Sequence, residues 1–349
     1  MVDQPDTVAA VRAVDALLAH GIAARAIDHA LKGGVIDRLG ERRLLEEAEL
    51  AAELGSAPER IALLVSLLVS ADVLCRKAGG LALSESFRRI LPFRDLLEAK
   101  LGFLALASAD LDEYFAAFID APDRFIAQSR TFELFRYDRC FELTPENLAA
   151  TRRWVSYTSC LTRYEAGPCW DRIDLDGARR LLDLGGNSGE FAARACAKAP
   201  QLTATVADLP VVCAIGREML AGRPELPRVS YLPLDMRFDA LPAGHDLISF
   251  KSVLHDWPAD EAFKLMARAC AALPAGGQLL IYERARIPIE DMAMSYAAAA
   301  NLVFAPFFRD AGFYIEALGA LGLREITAET VEIETPFHLI TARKPGGPA

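Results

Sequence analysis

The feature that most constrains this chain is the run Leu181-Leu182-Asp183-Leu184-Gly185-Gly186-Asn187-Ser188-Gly189-Glu190, a short apolar strand that ends in a glycine-rich turn and opens a helix. After it, two periodicities alternate. Strands are expected over 181–184, 202–207, 230–234, 246–250 and 278–283, with helices over 190–199, 212–220 and 260–273. Such alternation predicts an α/β fold with a parallel sheet covered by helices. Two further strands at 327–334 and 337–343, around Thr335-Pro336, predict an antiparallel hairpin that closes the sheet. In open sheets of this kind ligands bind beyond the carboxyl ends of the strands, where the glycine turn lies.

The chain before that turn has a different pattern. With 349 residues it is long enough for two domains. Its first third reads as helices, beginning with an apolar-periodic stretch over 11–39 broken by Gly33-Gly34. A helix over 46–54 stopped by Gly55, a capping box Ser56-Ala57-Pro58-Glu59 opening a second helix, and short strands at 73–77 and 81–83 around Ala78-Gly79-Gly80 predict a helix-turn-helix with a two-stranded wing. That shape belongs to DNA readers, but the second helix, over 61–74, is apolar on nearly every face and lacks the basic groove-facing residues such a reader needs. It is expected to pack or dimerise. Residues 85–165 stay helical and rich in aromatics, among them Phe118, Phe125, Phe132, Phe135 and Tyr137. The expected domains are 1–100 (winged-helix-like, dimerising), 101–170 (helical connector and substrate-pocket region) and 171–349 (the glycine-loop domain).

Several function classes fall away. A net charge of −10 with scattered arginine pairs does not provide the concentrated basic surface that nucleic acid requires. Seven cysteines without a C-x-x-C pair support neither structural zinc nor a disulfide framework, and no metal site is expected. No basic-then-apolar leader follows Met1-Val2-Asp3, so a cytoplasmic location is the default expectation. The longest uncharged stretch, 292–308, contains Asn301 and Pro306 and reads as a buried helix, not a membrane span.

A dinucleotide fingerprint would place glycines at 185, 187 and 190, but 187 is Asn and 190 is Glu. A carboxylate at the helix start repels a pyrophosphate, so the expected nucleotide carries no phosphates. Asp208, at the end of the second strand, is placed to accept from ribose hydroxyls or to cap the turn at Leu209-Pro210.

LLDLGGNSGEFA, ADLPVV, LDM at 234–236, FKSVLHDW at 250–257 and ALPAGGQLLIYE ending at Glu283 together resemble the S-adenosylmethionine-dependent O-methyltransferases of plant phenolic and bacterial natural-product pathways. The resemblance covers nearly the whole chain. It implies a helical winged-helix dimerisation domain followed by a class I, Rossmann-like methyltransferase domain, a homodimer, S-adenosyl-L-methionine as cofactor and a small-molecule acceptor. It further implies that Gly185 and Gly186 line the methionine part of the cofactor, that Asp208 and Leu209 lie at the ribose, that Asp235 and Met236 contact adenine, and that Lys251 neighbours the cofactor. Asn187 departs from the usual glycine, which the readiness of Asn to adopt left-handed backbone accommodates.

The same resemblance implies that His255 is the general base and that Glu283 flanks it. A phenol and an imidazole differ by about 3.5 pKa units, or about 5 kcal/mol for complete proton transfer, a cost that concerted transfer and a flanking carboxylate reduce. The family's second acidic residue follows an R-T-x-x-E pattern, and here Phe313 stands where that Glu is expected. Either Asp310 or Glu316 substitutes, or half of the clamp is absent. The expected reaction is methyl transfer to a hydroxyl of an aromatic or polyketide-like natural product; the alternatives are carbon methylation, or a non-methylating hydroxylase, decarboxylase or rearrangement enzyme using the same pocket.

Overall fold

The computed structural model describes residues 20–287, 299–333 and 335–346. The chain divides into two compact units, one of Met1–Asp112 with Ala293–Ala300 and the other of Glu113–Met292 with Asn301–Ala349.

In the first unit, helices His20–Lys32 and Val35–Glu41 are separated by Gly33-Gly34, where Gly34 takes a φ of 76°. Helix Glu47–Glu53 ends in a left-handed turn: Gly55 has a φ of 60° and the Ser56 N–H reaches back to the Ala51 carbonyl at 3.0 Å. Helix Pro58–Ser70 follows, then β1 (Leu74–Lys77) and β2 (Gly80–Leu83), paired antiparallel. The helix-turn-helix and wing are therefore present.

Two details of the expectation are corrected. No capping box forms: the N-cap is Ala57, without a side-chain bond, and Pro58 starts the helix through its fixed φ. The helix also stops at Ser70, and Leu74 already belongs to β1. Ile61, Val65 and Leu68 bury one face, and Leu63 is 66% exposed.

The second unit holds a seven-stranded sheet in the order β5-β4-β3-β6-β7-β9-β8. Its strands are β3 (Arg180–Leu184), β4 (Thr203–Asp208), β5 (Val229–Pro233), β6 (Leu247–Lys251), β7 (Gln278–Arg284), β8 (Arg324–Glu332) and β9 (Pro336–Arg343). The first five are parallel, and β9 runs antiparallel to β7 with β8 outside it. Alternate residues feed opposite cores. Leu181, Leu280 and Tyr282 pack with Trp170 and Phe191 on one face; Leu182, Leu279 and Ile281 pack with Phe250 and Met266 on the other. Burial on both faces is why the parallel strands read as continuous apolar runs.

The strand order reverses between β3 and β6, which opens a crevice at their carboxyl ends. Helix Pro145–Trp170, capped by the Thr144 hydroxyl, packs against helix Glu190–Lys198 beside that crevice. Of the stretch 292–308, residues 292–298 lie outside the described residues; Ala299–Leu302 is helical and Ala305–Phe307 a 3-10 turn.

Candidate active site

The turn after β3 is built for close approach. Gly185 has a φ of 66°, and a Cβ there would fall 2.8 Å from Val253 Cγ2. A Cβ on Gly186 would fall 2.6 Å from Asp183 Oδ2, so both positions exclude a side chain. Asn187 takes the left-handed backbone expected of it, with a φ of 55°. Its Nδ2 donates to Thr158 Oγ1 at 3.0 Å, and its Oδ1 accepts from the Ser188 N–H at 2.7 Å, tying the loop to helix Pro145–Trp170.

Beneath the loop, Asp183 is fully buried and burial pushes its carboxyl up to about 7; Oδ1 accepts from Ser249 Oγ at 2.6 Å. Asp183 Oδ2 and Ser252 Oγ have no hydrogen-bond partner among the described residues. Ser252 lies directly after β6 with a φ of 53°. Two side-chain-free glycines and two buried orphan oxygens suit a ligand bearing hydrogen-bond donors.

Tyr137, Gly185, Asp208, Leu209, Asp235, Met236, Arg237, Ser252, Val253, Asp256 and Trp257 line a single cleft of about 590 Å³ including its mouth, large enough for a nucleoside. The Asp208 carboxylate faces the cleft and caps the turn. It accepts the N–H groups of Asn187 (2.8 Å) and Leu209 (2.7 Å). Burial pushes it up to about 6 against those two bonds.

Asp235 is clasped by Arg237, whose Nε and Nη2 donate at 2.9 and 2.6 Å. Burial raises the Asp235 carboxyl, but Arg237 outweighs this and holds it below the usual carboxylate range. The guanidinium lies 4.8 Å from the Trp257 ring, which flattens that wall of the cleft.

Gly186 sits in the loop below the lining. Lys251 points elsewhere: its Nζ pairs with Glu165 and donates to Thr162 Oγ1 at 3.0 Å, while Arg284 holds the other Glu165 oxygen at 2.6 Å. A lysine at the end of β6 is drawn to helix Pro145–Trp170 because the nearly buried Glu165 needs two cations.

His255 and Glu283, 28 residues apart, are brought together. His255 stands on the 3-10 turn Leu254–Asp256 after β6, and its Nδ1 lies 2.6 Å from Oε2 of the fully buried Glu283 at the end of β7. Glu283 Oε1 accepts the N–H groups of Val253 and Leu254, each at 2.7 Å. The second carboxylate on the imidazole is Asp256, whose Oδ1 lies 3.3 Å from Nε2. Neither Asp310 nor Glu316 fills that place: Asp310 faces Arg286 and Glu316 is exposed.

Phe313 lies under the Arg309 guanidinium, which donates to the carbonyls of Leu254 and Trp257 and so fixes the histidine turn. Burial alone would lower the His255 pKa, but Asp256 and Glu283 outweigh it and hold the imidazole above its ordinary value. Asp256, Arg309 and Asp183 carried no expected site role, and Tyr137 was expected only as one aromatic of the 101–170 pocket region. Of the first three, Asp256 had a signal in the sequence, as the neighbour of the histidine in SVLHDW.

Residues 142–304 match the O-methyltransferase domain family. The chain carries an O-methyltransferase domain. This O-methyltransferase domain contains the glycine loop, the cleft residues from Gly185 onward, His255 and Glu283, whereas Tyr137 precedes it and β8 and β9 follow it. The 3-hydroxy-5-methyl-1-naphthoate 3-O-methyltransferase of Streptomyces sahachiroi is 40% identical over 111 residues, 32% of this chain and 32% of that one. The demethylspheroidene O-methyltransferase of Cereibacter sphaeroides is 31% identical over 238 residues, 67% of this chain and 60% of that one. The chain thus spans about a third of the length of the first relative and three fifths of the second. The structure of the mitomycin 7-O-methyltransferase MmcR, 21% identical, covers 97% of this chain and 98% of that one with a TM-score of 0.75, so the two share a fold. Among the described residues no helix is long and apolar enough to cross a membrane.

Proposed function

We propose that this protein transfers a methyl group from S-adenosylmethionine to a hydroxyl of a small aromatic or polyketide-like molecule, with His255 as general base. The observation that carries the reading is the imidazole held between Glu283 and Asp256 on the turn that also walls the cleft next to the glycine loop. When bound, S-adenosylmethionine would supply an electrophilic methyl group to the acceptor oxygen, with the thioether as leaving group. Asp208 would offer its carboxylate to ribose hydroxyls, Asp235 and Met236 would hold the adenine, and the orphan oxygens of Asp183 and Ser252 would accept from the amino-acid part.

The protein's own chemistry is proton handling and alignment. His255 Nε2 takes the acceptor's proton, Glu283 stabilises the imidazolium through Nδ1, and Arg309 keeps the turn in place. Phe308 packs edge-on against His255 at 5.4 Å, and Phe304 and Phe307 stand against Phe132 at 5.5 and 5.6 Å, a ring-lined neighbourhood that suits a flat acceptor. Asp256 supplies a second carboxylate from a different place than Phe313, which favours oxygen over a carbon acceptor or a non-methylating reaction.

The same proposal includes a cytoplasmic homodimer formed through the first unit, where Leu63 and Ile22 are 66% and 65% exposed. Light scattering should give twice 38.0 kDa; a monomer would remove the dimer. The activity itself is tested by incubation with methyl-labelled S-adenosylmethionine and hydroxylated naphthoates and phenols. S-adenosylhomocysteine is expected in step with a product heavier by one methyl, and its absence across such acceptors would count against the reading.

A further inference from the structure

Tyr137 has no part in the mechanism above, yet it occupies a particular place. It lies on the 3-10 turn Tyr137–Cys140, with its ring against Trp154 at 5.8 Å and Trp257 at 6.2 Å. Its hydroxyl donates to Asp256 Oδ2 at 2.7 Å, and the other oxygen of that carboxylate is the one 3.3 Å from His255 Nε2. Tyr137 and Asp256 both face the cleft. Glu283 already holds Nδ1, so a further proton on the pair would lie between Nε2 and Asp256 Oδ1, and Nε2 can accept from a substrate only once that proton has left.

We propose that Tyr137 is a positioning residue for proton transfer, its hydroxyl stabilising the Asp256 anion so that the shared proton leaves and His255 Nε2 is bare near neutral pH. The inference rests on the reading of His255 as base. A donor to a carboxylate favours its charged form. Removing that donor leaves the Asp256 anion less stable, and the pair keeps its proton to higher pH.

Among the described residues, the side chain that donates to Asp256 is Tyr137. Facing Asp256 are His255, Glu283, Tyr137 and Arg309, and the Arg309 guanidinium is engaged by the carbonyls of Leu254 and Trp257. His255 is faced by Asp256, Glu283 and Arg284, and the last of these is held by Glu165. Tyr314, on helix Ala311–Ala320, lies in the field of Glu283, Arg309 and Asp256. Tyr137 itself is faced by Asp256, Asp208 and the Cys140 thiol; burial first and these groups after it push its phenol well above the ordinary value, so it stays protonated and keeps donating.

The test is the pH dependence of kcat/KM from pH 5.5 to 9.5 for the full-length protein with S-adenosylmethionine and a turned-over phenol. Tyr137→Phe should move the acidic limb up by about half to one pH unit, lowering activity roughly 3- to 10-fold on the limb and less than about twofold on the plateau. Replacement of Tyr137 by 3-fluorotyrosine, a stronger donor of nearly the same shape, should move the limb the other way. It also keeps the proposal testable if the phenylalanine variant folds poorly. A limb that stays in place, or an equal loss at every pH, would overturn the role of Tyr137. His255→Gln separates the two levels: if it retains the acidic limb, the base reading fails. If it loses the limb while the Tyr137 variants leave the limb unmoved, only the present inference fails.

Discussion

Glu283 and His255 are joined at 2.6 Å between Oε2 and Nδ1, while the other Glu283 oxygen receives two backbone N–H groups of the same turn. One buried carboxylate therefore orients the imidazole and holds the loop that carries it. Burial would raise its pKa, but His255 and the two N–H groups outweigh this and keep it below the usual carboxylate value, so it stays charged. Glu283→Gln should lower kcat by roughly 10- to 100-fold and move the acidic limb of the pH profile to lower pH, because the imidazolium loses its anion. A pH-rate profile checks both; a limb that moves upward would mean that Glu283 does not stabilise the charged ring.

Asp208 should bind the cofactor as an anion. Its carboxyl is pushed up to about 6, so affinity for S-adenosylhomocysteine should decline as pH falls through that value. Asp208→Ala should weaken binding by roughly 10-fold or more, the loss expected for hydrogen bonds to a charged acceptor. Calorimetry at pH 5 and pH 8, with circular dichroism to verify the fold, measures each effect.

Asp183 trades stability for binding. Unfolded, it titrates near the ordinary value of 3.8; folded, burial pushes it up to about 7. Between those values the folded protein holds a proton that the unfolded chain has lost, so stability declines as pH rises through the window and the full penalty applies above it. Asp183→Asn removes the penalty and should raise the ligand-free stability at pH 8 by about 1 to 3 kcal/mol, within the limit of roughly 1.4 kcal/mol per pKa unit. It should also weaken cofactor binding, since Oδ2 is an acceptor awaiting a donor. Urea unfolding at pH 4.5 and pH 8 gives the stability change, and a destabilised variant at pH 8 would contradict the assignment.

Lys251 separates packing from binding. Its side chain is 10% exposed and Glu165 is 7% exposed, so Lys251→Met takes one of its cations from a buried carboxylate that also holds Arg284. Stability should drop by about 2 kcal/mol, less than for a fully unpaired buried charge. Affinity for S-adenosylhomocysteine should change less than about twofold if the lysine serves Glu165 and not the cofactor, in contrast to Asp208→Ala. A tenfold loss of affinity at unchanged stability would restore Lys251 to the cofactor site.

Much of the sheet was legible because its signals are local. Gly185 needs a positive φ, Leu181 and Leu182 feed opposite cores, and the expected strand limits differ from those of β3 to β7 by a residue or so. Asp208, Asp235 and Met236, singled out at strand ends, line one cleft because strand ends in a parallel sheet converge on its switch point. What the sequence hid depends on which long side chains choose one another. Lys251 ends a strand beside the cleft residues, but it is captured by Glu165, 86 residues away. Tyr137 reaches Asp256 across 119 residues, a separation with no periodicity to reveal it. The second carboxylate beside the imidazole is Asp256, on the histidine's own turn and not on the helix that carries Phe313.

The central claim, base-assisted methyl transfer at His255, is tested most directly by single-turnover product formation with methyl-labelled S-adenosylmethionine and a hydroxylated aromatic acceptor, comparing wild type with His255→Ala after each is shown by calorimetry to bind S-adenosylhomocysteine. The account predicts a methylated product in step with S-adenosylhomocysteine for wild type, and a rate lower by roughly 10² to 10⁴ for the variant at nearly unchanged cofactor affinity. Wild-type rates in His255→Ala would contradict it.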